Sequence, residues 1–308
     1  MSDTLQKFMT EDGVVRGELV DVSDAWRQMQ AHHAYPLPVK VLLGEMLAAT
    51  ALLSANLKFN GAIVMQIHGD GPVRLLVVEC DAELRLRATA KLAPNAVIDD
   101  DAGITQLVNQ NGHGRFAITL DPRDKLPGQK PYQGIVPLDG ETVAAIIESY
   151  MVRSEQLDTK LWLAADTGVA RGLLLQKMPG SSGTQVPPHD ETETWQRLLA
   201  LASTLQRPEL LATDVETLRH RLFWEETIRL FDPLQPQFFC SCSREKVGNM
   251  LKMLGVAEVQ SALDDLGQLG IDCDFCGRHY EFDKVDCAQL FASEAPAEAL
   301  LPPSDARH

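Results

Sequence analysis

Positive charge, cysteine and long apolar runs are all scarce in this chain of 308 residues, and each scarcity excludes something. Lys and Arg number 28 against 43 Asp and Glu, a net charge of −15, so the general attraction to phosphate that drives nucleic-acid binding is missing. Six cysteines are too few for a secreted disulfide scaffold. Residues 1–11 mix charges with no apolar segment, so no secretory leader is expected and a reducing, cytoplasmic location is. The most apolar stretch, Val41 to Ala55, carries Glu45 and falls short of the roughly 20 apolar residues a bilayer requires, so no membrane span is expected. No H-E-x-x-H, G-x-S-x-G or G-x-x-x-x-G-K-[ST] occurs. Metalloprotease, serine hydrolase and P-loop chemistry thus have no support, and neither an enzyme nor an ATP-driven machine is expected. Asp166, Thr167 and Gly168 spell the aspartic-protease triplet, but once only and at an expected hairpin turn, whereas that chemistry needs two carboxylates.

What is present is a globular pattern long enough for two domains. Val14 to Leu19 alternates as a strand does, and Ser23 is placed to cap a helix running to Ala34, which Pro36 and Pro38 terminate. A second helix starting at Pro38 carries Val41, Leu42, Met46, Ala49 and Leu52 at helical spacing and needs a sheet to cover that stripe. Ala62 to Ile67, Val73 to Val78 and Leu84 to Ala90 supply one as an antiparallel meander, the first two joined through Gly69, Asp70, Gly71 and Pro72. Arg115 to Leu120 reads as a further strand, Glu141 to Tyr150 as a helix, and Leu161 to Ala165 with Leu173 to Gln176 as a hairpin. Helices and strands do not alternate strictly, so the expected class is α+β. An N-terminal domain with an antiparallel sheet and helices is expected over 1–178, a flexible, amphipathic helical linker over 179–231, a small C-terminal zinc-binding domain over 232–290 and a disordered tail over 291–308. In the linker, Trp195, Leu198, Ala202 and Leu205, and again Val215, Leu218 and Leu222, step by three and four, giving two helices separated near Pro208. Helices this short are marginal alone, so the segment must dock on something or stay partly unfolded.

The chemistry concentrates between Cys240 and Cys287, which hold every cysteine except Cys80. Cys240 and Cys242 form C-x-C, and Cys273 and Cys276 form C-x-x-C followed by Gly277. Paired thiols in a reducing compartment point to zinc, because thiolates are soft donors and a C-x-x-C-G turn aims both sulfurs at one tetrahedral centre while glycine takes the strained backbone position. Between the pairs, Ser243 is placed to cap the first of two helices, Arg244 to Leu254 and Ala257 to Leu266. One reading is a structural zinc staple for a module too small to build a sufficient core. Another is a redox switch, in which oxidation of the four sulfurs releases zinc and removes the roughly 10–16 kcal/mol of folding energy such a metal supplies. A thiol oxidoreductase would require a thioredoxin-like unit, which the surroundings of Cys273 do not resemble. A zinc-ribbon nucleic-acid binder would need a basic face, where Asp272, Asp274, Glu281, Asp283 and Asp286 make an acidic one. Cys80 and Cys287 are read as ordinary thiols, and His279 as a neighbour of the cluster rather than a ligand.

The C-x-C-S-R-E run from Cys240 to Glu245 and the C-D-F-C-G-x-H-Y run from Cys273 to Tyr280 resemble the bacterial heat shock protein 33 family of redox-regulated chaperones. Similar segments are V-R-G-E-L from Val15 to Leu19, Y-P-x-P-V-K from Tyr35 to Lys40, G-D-G-P from Gly69 to Pro72, R-S-E-Q-L from Arg153 to Leu157 and L-L-L-Q-x-M-P from Leu173 to Pro179. Arg171, before Gly172, departs from the small residues usual there. The resemblance implies a cytosolic, ATP-independent holdase that binds unfolding client proteins, inactive when reduced and loaded with one zinc per chain. It implies activation by oxidants that form disulfides, release zinc and unfold the linker, with homodimerisation on activation. It also implies Cys240, Cys242, Cys273 and Cys276 as zinc ligands, and disulfides Cys240–Cys242 and Cys273–Cys276 in the oxidised form. Clients are expected to bind the apolar faces bearing Trp195, Leu198, Leu218 and Leu222 together with the sheet surface those faces had covered.

Overall fold

The run Leu173, Leu174 and Leu175 has no polar alternation, a pattern that fits a strand covered on both faces. In the computed structural model, which describes residues 3–124, 131–179 and 188–292, this strand has that environment. The chain divides into two compact units, Met1–Phe239 and Cys240–His308. In the first, the leucines lie in β9 (Ala170–Lys177), an inner strand of a five-stranded antiparallel sheet. Its order is β10 (Ile228–Leu230), β1 (Thr4–Thr10), β2 (Val15–Asp21), β9 and β8 (Thr159–Ala165). A second sheet has the order β11 (Gln237–Phe238), β5 (Arg85–Leu92), β4 (Val73–Asp81), β3 (Gly61–His68), β6 (Arg115–Pro122) and β7 (Tyr132–Val136). Its neighbours are antiparallel except β11 and β5. The expected meander is β3–β4–β5, with Met65 opposite Val78 and Val78 opposite Ala88, and the expected hairpin is β8–β9, with Leu161 opposite Leu174.

Helix α2 (Leu37–Ser54) packs against strands of both sheets. Met46, Leu47 and Leu52 share one core with Val20 and Leu174 of the first sheet and Met65, Val78 and Leu86 of the second. The expected apolar stripe is in fact apolar on nearly every side, as a helix enclosed by sheets requires. By length and composition this helix would be enough to cross a membrane, but 78% of it is buried inside the protein, so it is the core helix.

Helix α1 (Ser23–Gln30) corrects the sequence reading at both ends. It stops at Gln30 rather than Ala34, and Ser23 is its first residue, not its cap. The free N–H groups of Asp24 and Ala25 donate instead to the Asp3 carboxylate at 2.7 and 2.8 Å, a partner too distant in sequence for any capping pattern. Burial raises that carboxyl to about 6 against the opposing pull of these two bonds. Two helices complete the body of this unit: the short α3 (Ile104–Val108), and α4 (Val143–Ser154), where Thr142 caps by accepting from the Ala145 N–H at 3.1 Å.

The outer face of the first sheet carries a second core. Phe8, Val15, Leu19, Leu173 and Leu175 of the sheet pack there with residues of α5 (Pro188–Ala202), α6 (Arg207–Ala212) and α7 (Val215–Phe223). The sequence pattern predicts two helices broken near Pro208. The structure has three, with Pro208 in the first turn of α6, where its missing N–H would have no partner anyway. Phe8 lies so close over β2 that a Cβ on Gly17 would sit 1.9 Å from the ring, and the ring continues to Phe223 at 5.2 Å between centroids.

The second unit contains α8 (Arg244–Leu254), α9 (Val256–Leu266), the antiparallel pair β12 (Leu269–Asp272) and β13 (His279–Phe282), and α10 (Lys284–Ala292). Among the described residues its buried apolar set is small: Leu251, Val259, Leu263, Leu269, Tyr280, Phe282 and Cys287. Residues 180–187 of the expected linker and the expected tail beyond 292 lie outside the described residues.

Candidate metal centre

Two local structures bring the cysteine pairs together. Cys240 and Cys242 immediately precede α8, whose first turn is fixed by Ser243 accepting from the Lys246 N–H at 3.2 Å, as its position predicts. Cys273 and Cys276 occupy the turn between β12 and β13. The Gly277 N–H donates to the Cys273 carbonyl at 2.8 Å, and the Cys273 N–H donates to the Arg278 carbonyl at 2.9 Å. Gly277 takes φ +64°, a left-handed conformation that glycine adopts without a Cβ clash.

All four sulfurs lie within 4.8 Å of one another, and contacts run between the pairs, Cys240 to Cys273 at 3.6 Å and Cys242 to Cys276 at 3.4 Å. A tetrahedron with metal–sulfur bonds of about 2.3 Å has edges of roughly 3.8 Å, so the donor set fits a single soft metal ion. Its electrostatics agree. Burial raises the Cys276 thiol to about 12, reinforced by its bonds to the other three sulfurs, and burial also raises Cys240. At Cys242 burial opposes ionisation too, but hydrogen bonds from Tyr280 and the neighbouring thiols outweigh it and bring the thiol down to about 7. Thiols this crowded cannot all ionise unless a cation balances them, which is what a bound metal does.

Tyr280 is the residue that motif reading missed. Its hydroxyl donates to Cys242 Sγ at 3.1 Å from the buried face of β13, where Tyr280 and Phe282 point inward and His279 and Glu281 outward. Its place at the end of the C-D-F-C-G-x-H-Y run and that period-two alternation were the advance signals, but neither gave it a role. His279 lies outside the four-sulfur cluster, half-exposed, with Nδ1 2.7 Å from the Asp272 carboxylate. Cys80 is buried in the first core, where burial pushes its thiol up to about 12, and Cys287 is buried in the core of the second unit. Asp166 closes the β8–β9 turn by accepting from the N–H groups of Gly168 and Val169, both at 2.7 Å.

The residues expected to meet clients belong to the first unit. Leu198, Leu218 and Leu222 are buried in the second core and Trp195 is partly buried against it. Arg171, noted in the sequence only as a departure, is buried beside them and bonded to Asp21.

These features define a class: an α+β protein with a separate small module that gathers four cysteines. The family model of the Hsp33 protein matches residues 3–283. The 33 kDa chaperonin of Methylobacillus flagellatus is 46% identical over 309 residues, covering 100% of this chain and 99% of its own. That of Chromobacterium violaceum is 44% identical over 306 residues, covering 99% and 98%. The crystal structure of the 33 kDa chaperonin (heat shock protein 33 homolog) of Thermotoga maritima superposes with a TM-score of 0.77 over 95% of this chain and 99% of that one. At 21% identity this last likeness concerns the fold. The chain belongs to the Hsp33 protein family, and its function is that of a chaperone.

Proposed function

We propose that this chaperone is an ATP-independent, redox-regulated holdase of the cytoplasm, with no enzymatic step and no nucleic-acid partner. In the reduced form Cys240, Cys242, Cys273 and Cys276 hold one zinc ion. The observation that carries this reading is the convergence of the four sulfurs in a unit with so small a core. When bound, the ion cross-links the start of α8 to the β12–β13 turn, folding energy that the apolar residues there do not supply.

A peroxide acts on the sulfurs. Two thiolates give up two electrons and form one S–S bond, and the peroxide O–O bond breaks and takes up two protons to give two waters. The expected pairs are Cys240–Cys242 and Cys273–Cys276. Disulfide formation removes the donors, and the second unit unfolds. The α5–α7 segment then leaves the first sheet, uncovering Phe8, Val15, Leu19, Leu173 and Leu175 together with its own Trp195, Leu198, Leu218 and Leu222. These faces take up unfolding clients, and the activated form is a homodimer.

A permanent structural staple is the second reading, favoured by the same small core. Light scattering of a thermally unfolding client, without ATP, separates the two. The redox reading expects suppression only by peroxide-treated protein, with zinc release in parallel and disulfides within each pair in the peptide map. Zinc retained through peroxide treatment, with no gain in suppression, would leave the staple.

A further inference from the structure

Release of α5–α7, on the reading just proposed, requires something besides apolar contact to set how tightly the segment is held. We propose that Arg171 is the positioning residue that fixes α6 and the entry to α7 on the first sheet, so that docking is governed by a buried guanidinium as well as by the cysteine cluster.

Arg171 sits on β9, directly opposite Asp21 on β2, and its Nε donates to Asp21 Oδ2 at 2.7 Å. Asp21 is itself fixed, accepting from the Ser23 N–H at 2.9 Å at the start of α1. The other end of the guanidinium faces the docked segment. Its Nη1 donates to the carbonyls of Leu211 at 2.9 Å and Thr213 at 2.8 Å, with that of Leu210 at 3.4 Å. These carbonyls close the last turn of α6, where no helical N–H remains to satisfy them and the helix dipole is negative. The chain then turns into Asp214, which caps α7 by accepting from the Thr217 N–H at 2.9 Å.

Two further observations make this contact decisive for α6. The helix spans 6 residues and Leu210 is its one fully buried apolar side chain, so neither its length nor its apolar area holds it in place. At its other end Arg207 pairs with Glu45 of α2 and donates to the Ala165 carbonyl at 2.7 Å. That arginine is half-exposed, so its ion pair contributes less than the buried one. Arg171 is 8% exposed, and its bonds shared with α6 are charge-assisted. Its partners among the described residues all lie in the first unit, so this hold does not run through the sulfurs.

Hydrogen exchange of the full-length, reduced, zinc-loaded protein tests this. Arg171→Met keeps the apolar stem and removes the fork. Peptides spanning 207–222 should exchange about tenfold faster or more, the effect of losing a charge-assisted hydrogen bond, while those spanning 61–92 stay at the parental rate. Arg171→Lys retains the charge beside Asp21 but cannot bridge it to the carbonyls, and it should show the same selective acceleration even if the Met variant fails to fold. Parental exchange at 207–222 in both variants, or acceleration there only together with 61–92, would overturn the proposal. The measurement uses neither client nor oxidant. Failure of the release reading shows separately, as a reduced variant whose loosened segment still holds no client.

Discussion

At the scale of single residues, the six cysteines fall into two populations by environment. The four clustered sulfurs are half-buried beside one another, whereas Cys80 and Cys287 are enclosed by apolar neighbours. Metal-free, reduced protein, its second unit unfolded, should therefore expose five thiols to a disulfide reagent at neutral pH, the four clustered ones and Cys287, and the sixth, Cys80, only in denaturant. Fast reaction of Cys80 in the native state would contradict the burial that pushes its thiol to about 12. Tyr280 gives a second prediction. Its hydroxyl donates to Cys242 Sγ at 3.1 Å, so Tyr280→Phe should weaken zinc binding by the reduced protein by about tenfold or more. Competition with a chromophoric chelator checks this, and an unchanged affinity would remove Tyr280 from the site. The cysteine spacing and the Ser243 cap were legible in sequence because each is settled within a few residues. Tyr280 and Arg171 were not, because their partners, Cys242 and Asp21, are brought near only by folding.

At the scale of elements, the amphipathic spacing of the linker helices told that they must dock but not where. The answer lay in β9, whose three leucines face alternately to the two cores, Leu174 inward with α2 and Leu173 and Leu175 outward with α5–α7. Leu218 is fully buried in the outer core. Leu218→Asp forfeits about 1.5–3 kcal/mol of apolar burial and places an unpaired carboxylate there, so the segment should undock. Limited proteolysis of the reduced protein should then cut within α5–α7, and that protein should suppress client aggregation without oxidant. A reduced variant that resists protease like its parent would break the link between docking and restraint. The three-residue β10 escaped sequence reading because its pairing, Leu230 opposite Phe8, is set by a partner far along the chain, whereas β1 and β7 pair with their neighbours β2 and β6 but lack a clear apolar alternation.

At the scale of the whole molecule, two units of unequal self-sufficiency share one chain. The first owns two apolar cores; the second has a handful of buried side chains beside four convergent sulfurs. Chelation under reducing conditions should therefore remove the helical signal of the second unit while the melting transition of the sheets persists. A single transition unaffected by chelator would argue against metal-dependent folding. Zinc affinity should also fall with pH. Metal-free cysteines are protonated below their titration range, and binding must displace those protons. Each displaced proton weakens binding by about tenfold per unit of acidification below the thiol range, measurable by competition with a chromophoric chelator. The net charge of −15 supplies the repulsion that a molecule uncovering apolar faces needs to stay dispersed.

The sequence by itself determined what depends on neighbours along the chain: the α+β class, the meander and the β8–β9 hairpin, the amphipathic linker helices and the four paired thiols. Each is a matter of period, turn or spacing within a few residues. Tertiary structure alone decided that the five-stranded sheet is covered on both faces, that Asp3 satisfies the start of α1, and that Arg171 ties β2, β9 and α6 together. Those contacts join residues far apart in the chain, and no local pattern encodes a partner that only packing brings within reach.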